Sequence, residues 1–123
     1  MSFLSGLSGL SGRKYASIGP ADAQRRTDDG AVLLDVREPS EWRAGHAPKA
    51  RHIPLADLDR RHKELPAGRE IITVCRSGNR SARAAGILTA DGHTVLNLSS
   101  GMRAWSAAGL PVVAKGGRPG SIT

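Results

Sequence analysis

Cysteine, aromatic residues and long apolar runs are scarce in this chain of 123 residues. The single cysteine, Cys75, cannot form an internal disulfide, and a zinc site would need several closely spaced ligands, so we expect no metal site. No apolar stretch approaches the length of a membrane span. The N-terminus also lacks the uninterrupted apolar core of a secretion signal. These absences together predict a cytoplasmic protein.

The charge of the chain is strongly positive, with 18 Lys and Arg against 11 Asp and Glu and a formal net charge of +7. Such a balance suits a small anionic substrate or attraction to polyanions. The basic residues are scattered and no nucleic-acid-binding motif is present, so we favour a small anion and expect no nucleic-acid partner. A chain of this length forms one domain around a single core, here mainly aliphatic.

Both ends of the chain differ in composition from its centre. Residues 4–12 repeat Leu-Ser-Gly three times, and glycine at every third position disfavours a helix by about 1 kcal/mol each. We interpret residues 1–14 as a flexible arm, with a docking arm or dimer contact as the alternative. The Gly- and Pro-rich stretch 116–120 predicts that residues 115–123 form a tail that does not pack. The domain is then 15–114, as a monomer or weak homodimer.

Between these ends, short aliphatic runs alternate with helical segments. The three longer runs are apolar on both faces apart from Asp35, Thr73 and Asn97, which is typical of parallel strands buried between helices. We therefore predict a doubly wound α/β domain, with a parallel central sheet and helices on both faces. The predicted strands are 32–36, 52–54, 71–74 and 94–98, and the predicted helices are 20–29, 39–44, 56–63 and one that opens near Ser81.

Cys75 follows the apolar strand 71–74 directly and begins a short loop that opens a helix. A cysteine that only packs has apolar neighbours, but small and cationic residues follow this one. Loop amides, the positive end of a helix and guanidinium groups all favour a thiolate. We therefore interpret Cys75 as a reactive nucleophile in a partly exposed site. The residues after it are Arg76, Ser77, Gly78, Asn79 and Arg80.

The sequence of 75–81, Cys-Arg-Ser-Gly-Asn-Arg-Ser, resembles the active-site loop of the single-domain rhodanese, or thiosulfate sulfurtransferase, family. Segments 33–42, 45–54 and 98–112 are similar to three further motifs of that family and occur in the same order. The departures are small. Ala47 and Lys49 replace a bulkier apolar residue and a glycine, and Ser100 replaces the first of two glycines, which brings the local turn geometry into question.

The resemblance implies a sulfurtransferase that needs no cofactor. Cys75 would take the outer sulfur of a small anionic donor such as thiosulfate and pass it, as a persulfide, to cyanide or to a thiol, including that of a thioredoxin-like protein. Asp35, Arg37 and Ser81 would support the loop. The donor and the persulfide would be bound by Arg76, Ser77, Gly78, Asn79 and Arg80, the two arginines supplying cations for the sulfonate.

Other functions are open at this point. A partner-fed persulfide relay or sulfur-carrier module needs the same loop, so the sequence does not separate it from an enzyme. A phosphatase or arsenate reductase of similar fold is disfavoured, because those loops have one more residue between cysteine and arginine. A non-enzymatic binding module is disfavoured by the presence of Cys75.

Overall fold

The computed structural model describes residues 15–123, so the predicted arm 1–14 and its Leu-Ser-Gly repeat lie outside the described residues. The centre of the domain is a five-stranded parallel sheet, with strand order β1-β5-β4-β2-β3. The strands are β1 (Ala16–Ile18), β2 (Val32–Asp35), β3 (Arg51–His52), β4 (Ile71–Val74) and β5 (Val95–Leu98).

Five α-helices connect or follow these strands within the described part of the chain. They are α1 (Pro20–Asp28), α2 (Pro39–Ala44), α3 (Leu58–Arg61), α4 (Asn79–Ala90) and α5 (Gly101–Ala107). Short 3₁₀ turns occur at Leu55–Asp57, His62–Glu64 and Lys115–Gly117. None of the helices in residues 15–123 is long and apolar enough to cross a membrane.

The sheet separates two apolar cores. On one face, Leu58 of α3 and Leu88 of α4 pack with alternate residues of β2 and β4 and with Cys75. On the other face, Ala23 of α1 and Trp105 of α5 pack with the intervening strand residues. Helices therefore cover both faces, which confirms the predicted doubly wound α/β class. The alternation also places Cys75 on the side of the sheet that α3 and α4 cover.

Four of the five strands lie where the apolar runs predict them: the strand 71–74 matches at both ends, and the ends of the other three differ by at most two residues. Strand β1 was missed. Its residues Ala16 and Ser17 are exposed, and only Ile18 is apolar and partly buried. Its place in the sheet depends on pairing with β5, nearly 80 residues away in the chain, with Ala16 opposite Leu96. A run of three residues carries too little pattern to predict such a pairing.

The prediction of one continuous helix over 56–63 is wrong. The segment contains only one four-residue α-helix, α3, between two 3₁₀ turns. Leu55 and Leu58 both pack against the core that contains Cys75. Residues three apart eclipse one another in a 3₁₀ turn, so this spacing suits the tighter turn better than a continuous α-helix.

The expectation that residues 115–123 do not pack is also wrong. The Gly120 N–H donates to the Val112 carbonyl and the Ser121 N–H donates to the Ala44 carbonyl, at 3.0 and 2.9 Å. Ile122 packs against the core that contains Trp105. These backbone hydrogen bonds and one apolar anchor order a segment whose composition alone suggests a tail.

Candidate active site

Cys75 lies at the carboxyl end of β4, the central strand of the sheet, in the loop that joins β4 to α4. Binding sites in open parallel sheets form beyond the carboxyl ends of the strands, and the Cys75 loop lies at that edge. The residue is only 1% exposed. The expectation of a partly exposed thiol is therefore wrong for this structure, because Cys75 packs with the core under α3 and α4.

The Cys75 sulfur accepts hydrogen bonds from the loop that follows it. The Gly78 N–H donates to Sγ at 3.0 Å, and the Ser81 hydroxyl lies 3.4 Å from Sγ. Burial raises the pKa of the Cys75 thiol. The Ser81 hydroxyl and the backbone N–H groups of Ser81, Gly78 and Ser77 outweigh burial and leave this pKa below its ordinary value. The loop thus favours a thiolate in a place where an isolated charge would be disfavoured.

The first two carbonyl groups of the loop, those of Cys75 and Arg76, bind the start of α5. The Met102 N–H donates to the Cys75 carbonyl at 2.8 Å, and the Arg103 N–H donates to the Arg76 carbonyl at 3.1 Å. The first turn of a helix has free N–H groups that need such acceptors. Helix α5 therefore binds the back of the loop and leaves the loop amides free to face Sγ.

Gly101 allows α5 to approach the loop this closely. Its φ is +70°, and a Cβ at this position would lie 2.3 Å from the Arg76 carbonyl oxygen and 2.7 Å from that of Cys75. The preceding Ser100 has φ −94°, which any residue can adopt. The replacement of a glycine by Ser100 therefore leaves the turn intact, because Gly101 is the position that requires glycine.

Two buried polar residues on neighbouring strands support the same loop. Thr73 on β4 has its hydroxyl 3.0 Å from the Ser81 carbonyl, and Asn97 on β5 donates its side-chain amide to the Gly78 carbonyl at 3.4 Å. Sequence reasoning did not assign either residue to the site. The signal was available, since both are polar residues inside otherwise apolar strands, and buried polar groups are placed where partners exist.

Asp35 and Arg37 form a buried ion pair at the end of β2. Both side chains are fully buried, and Arg37 Nη2 lies 2.7 Å from Asp35 Oδ2. Arg37 Nη2 also donates to the Gly45 carbonyl at 2.7 Å, and His52 Nε2 lies 2.7 Å from the Arg37 carbonyl. These bonds connect β2 to the Gly45 turn and β3. Their support of the Cys75 loop stays a prediction.

The two arginines of the loop have different partners. Arg80 binds Glu41 of α2 through both terminal nitrogens, at 2.7 and 3.0 Å. This pairing holds the pKa of Glu41 at about 2 and raises that of Arg80. Arg76 Nε donates to the Thr123 carbonyl at 2.7 Å. Ser77 and Asn79 are exposed. Glu41 is a site residue that sequence reasoning missed, because only the folded chain brings it to Arg80.

Histidines lie near the site but not at it. Trp42 is stacked between His46 and His52, with ring centroids 3.6 and 4.7 Å apart. The described residues hold no group of three or more His, Cys, Asp or Glu side chains that could bind a metal ion. The hydrogen-bond donors on Sγ in the described residues are the Gly78 N–H and the Ser81 hydroxyl.

The fold and the loop define a class of protein: parallel α/β domains that carry a cysteine nucleophile at the carboxyl edge of a central strand. Residues 19–108 match the rhodanese-like domain. The chain belongs to the rhodanese-like sulfurtransferase family.

Individual relatives agree with this assignment. The chain is 41% identical over 97 residues to a sulfurtransferase of Allochromatium vinosum, covering 77% of this chain and 91% of that protein. It is 30% identical over 93 residues to thiosulfate sulfurtransferase GlpE of Pseudomonas syringae, covering 75% and 88% of the two chains. A rhodanese-related protein of Thermoplasma volcanium has a similar structure, with a TM-score of 0.77 at 33% identity over 82% of this chain and 100% of that chain.

Proposed function

We propose that this chain moves a sulfane sulfur from thiosulfate, through a persulfide on Cys75, to cyanide or a thiol. The observation that carries the proposal is the arrangement around Sγ, where loop amides and the Ser81 hydroxyl lower the pKa of a buried thiol. The attack on thiosulfate needs a negatively charged Cys75 sulfur, and the persulfide that forms also carries a negative charge on sulfur. Similarity to the thiosulfate sulfurtransferase of Pseudomonas syringae supports thiosulfate as the donor.

In the loading step, the Cys75 thiolate attacks the outer sulfur of thiosulfate. A bond forms between Sγ and that sulfur, the sulfur–sulfur bond of thiosulfate breaks, and its electron pair leaves with sulfite. No electrons are gained or lost overall, so no cofactor is required. The backbone amides of Ser77, Gly78 and Ser81 would stabilise the charge on the outer sulfur as they stabilise the thiolate.

The sulfonate of the donor would contact the cations of the loop. Among residues 15–123 no ion pair joins Arg76 to an Asp or Glu side chain, and its Nε donates to the main-chain oxygen of Thr123, whereas Arg80 has both terminal nitrogens on Glu41. Asn79 is exposed at the start of α4, where the free N–H groups of a helix favour an anion. We assign the main contact with the sulfonate to Arg76 and a weaker one to Arg80.

In the discharge step, a nucleophilic acceptor removes the outer sulfur. Cyanide forms a carbon–sulfur bond and leaves as thiocyanate, or a thiolate becomes a persulfide, and the electron pair of the broken sulfur–sulfur bond returns to Cys75 as thiolate. A thioredoxin-like protein would act as the thiol acceptor in the same way. The enzyme is then ready for another donor.

Intact-mass measurement after thiosulfate treatment tests this proposal. We expect one added sulfur atom, lost again when cyanide or reduced thioredoxin is added, and no adduct or turnover in Cys75→Ser. Turnover by the serine variant would show that Cys75 is not the nucleophile. Loading by a protein persulfide, with none from thiosulfate, would identify the chain as a partner-fed relay instead.

A further inference from the structure

Glu41 and Arg80 form an ion pair that joins α2 to the first turn of α4. The two terminal nitrogens of Arg80 meet the two carboxylate oxygens of Glu41 at 2.7 and 3.0 Å. The Arg80 side chain is 35% exposed and the Glu41 side chain 17% exposed, so the pair is neither buried in the core nor fully solvated. Two parallel bonds of this kind fix the orientation of the guanidinium group as well as its charge balance.

Arg80 lies in the first turn of α4, at the end of the loop that begins with the nucleophile Cys75. The Glu41 carboxylate is the main cause of the raised pKa of Arg80, and the Cys75 thiolate contributes in the same direction. Glu41 is also held in position by the Glu38 N–H, which donates to its Oε1 at 3.0 Å, and its pKa of about 2 keeps it ionised at neutral pH.

The surface beside Arg80 has little excess positive charge. A groove of about 380 Å³ there is lined by two acidic residues, Glu38 and Asp59, and by two basic residues, Arg80 and Arg83. Glu41 adds a third carboxylate through its bond to Arg80. A dianionic donor that approaches from this side gains less attraction than the formal net charge of +7 of the whole chain suggests.

We infer that Glu41 sets the charge selectivity of the loading step, by neutralising Arg80 at the end of the Cys75 loop and thereby reducing the advantage of dianionic sulfur donors over donors of lower charge. This inference rests on the proposed function, since it concerns the donor of the same reaction. Glu41 is a positioning residue in this role, because it acts through Arg80 and the local field and not on the reacting sulfur atoms.

Two donors that differ by one charge test the inference. Thiosulfate is a dianion, and the methanethiosulfonate ion has a methyl group in place of one oxygen and carries a single charge. Both deliver their outer sulfur to a thiolate, with sulfite or methanesulfinate leaving with the electron pair. We expect Glu41→Gln to raise the ratio of their loading rate constants, thiosulfate over methanethiosulfonate, by about three- to tenfold. A merely structural role would change both rate constants alike and leave the ratio unaltered.

Compensating variants sharpen the test. Arg80→Gln removes the cation and leaves Glu41, so we expect the same ratio to fall. The double variant Glu41→Gln/Arg80→Gln restores the net charge of the pair to zero, and we expect a ratio close to that of the unmodified chain. A double variant that keeps the ratio of either single variant would overturn the inference.

A matched control exists elsewhere in the chain. Arg61 and Glu64 form an equivalent two-bond pair at 2.9 and 3.0 Å, outside the site, and Glu64→Gln should leave the ratio unchanged. If the unmodified chain takes sulfur from neither donor, the proposed function fails. If it loads normally and Glu41→Gln does not alter the ratio, only the inference about Glu41 fails.

Discussion

Strands β2 and β4 are neighbours that end at the same edge of the sheet, β2 in the Asp35–Arg37 ion pair and β4 in the Cys75 loop. Asp35 lies opposite Val74, so the two ends are level with each other. In β2 the opposite charges bind one another and the Gly45 carbonyl, with no exposed surface. After β4 the carbonyls of Cys75 and Arg76 bind α5, and the Gly78 N–H donates to the Cys75 sulfur.

One edge of the sheet therefore carries both an ion pair that holds the fold together and a thiol that is kept reactive. The buried ion pair holds the native arrangement of the strand end but offers nothing to a substrate, although Arg37 Nη1 is buried without a hydrogen-bond partner among the described residues. A thiol that receives hydrogen bonds from backbone amides is kept reactive, and the groups that hold it are themselves held from behind. Changes at the end of β2 should therefore affect stability first, and changes at the end of β4 should affect reactivity first.

The largest effect is expected from breaking the pair at the end of β2. Arg37→Met leaves the Asp35 carboxylate buried without its partner, and we expect the free energy of unfolding to fall by about 3–5 kcal/mol. Urea denaturation measures this change. The double variant Asp35→Leu/Arg37→Met removes both charges and should lose less than the single variant. A loss as small as that of an exposed pair would show that the two strand ends do not differ in this way.

A smaller effect on stability, with a marked effect on activity, is expected from Gly101→Ala. The added Cβ meets the carbonyl oxygens of Arg76 and Cys75, and we expect it to cost about 1–3 kcal/mol beyond the cost of the positive φ. Gly109→Ala is the matched control, because Gly109 has φ +77° and open space around it. Urea denaturation and sulfur loading should separate the two variants, and equal behaviour would contradict the close contact of α5 with the loop.

The Glu41–Arg80 pair is more exposed than the Asp35–Arg37 pair, and its contribution to stability should depend on pH. The Arg80 guanidinium lowers the pKa of Glu41 from 4.5 to about 2 on folding. The pair therefore stabilises the fold above about pH 4.5, and that contribution is lost as the pH falls toward about 2. We expect Glu41→Gln to cost about 1–2 kcal/mol at neutral pH. Urea denaturation should show the two chains converging in acid, and a pH-independent difference would contradict the ion pair.

The smallest change in free energy is expected at the thiol itself. Ser81→Ala removes one hydrogen bond to Sγ while keeping the backbone amides, and we expect the pKa of Cys75 to rise by about one unit. The rate of alkylation against pH measures it, since the rate rises with the thiolate fraction. Ser106→Ala, on the exposed side of α5, should leave the profile unchanged. A profile unmoved by Ser81→Ala would assign the lowered pKa to the amides alone.

The class of fold and the position of the nucleophile could be predicted from the amino-acid sequence. Apolar runs with helical segments between them indicated β2, β4 and β5, because buried parallel strands are apolar on both faces. Cys75 stood out because small and cationic residues follow it where a packing cysteine would have apolar neighbours. These signals are local, since each depends on residues that lie close together in the chain.

The arrangement of the site around Cys75 could not be predicted from the sequence and is seen only in the tertiary structure. Three features of the site depend on residues that are far apart in sequence. They are the near-complete burial of Cys75, the ion pair of Arg80 with Glu41, and the hydrogen bonds of α5 to the loop. The order of residues 115–123 and the pairing of β1 have the same origin. Local pattern cannot predict such contacts, because the free energy that selects them comes from burial and hydrogen bonding in the assembled domain.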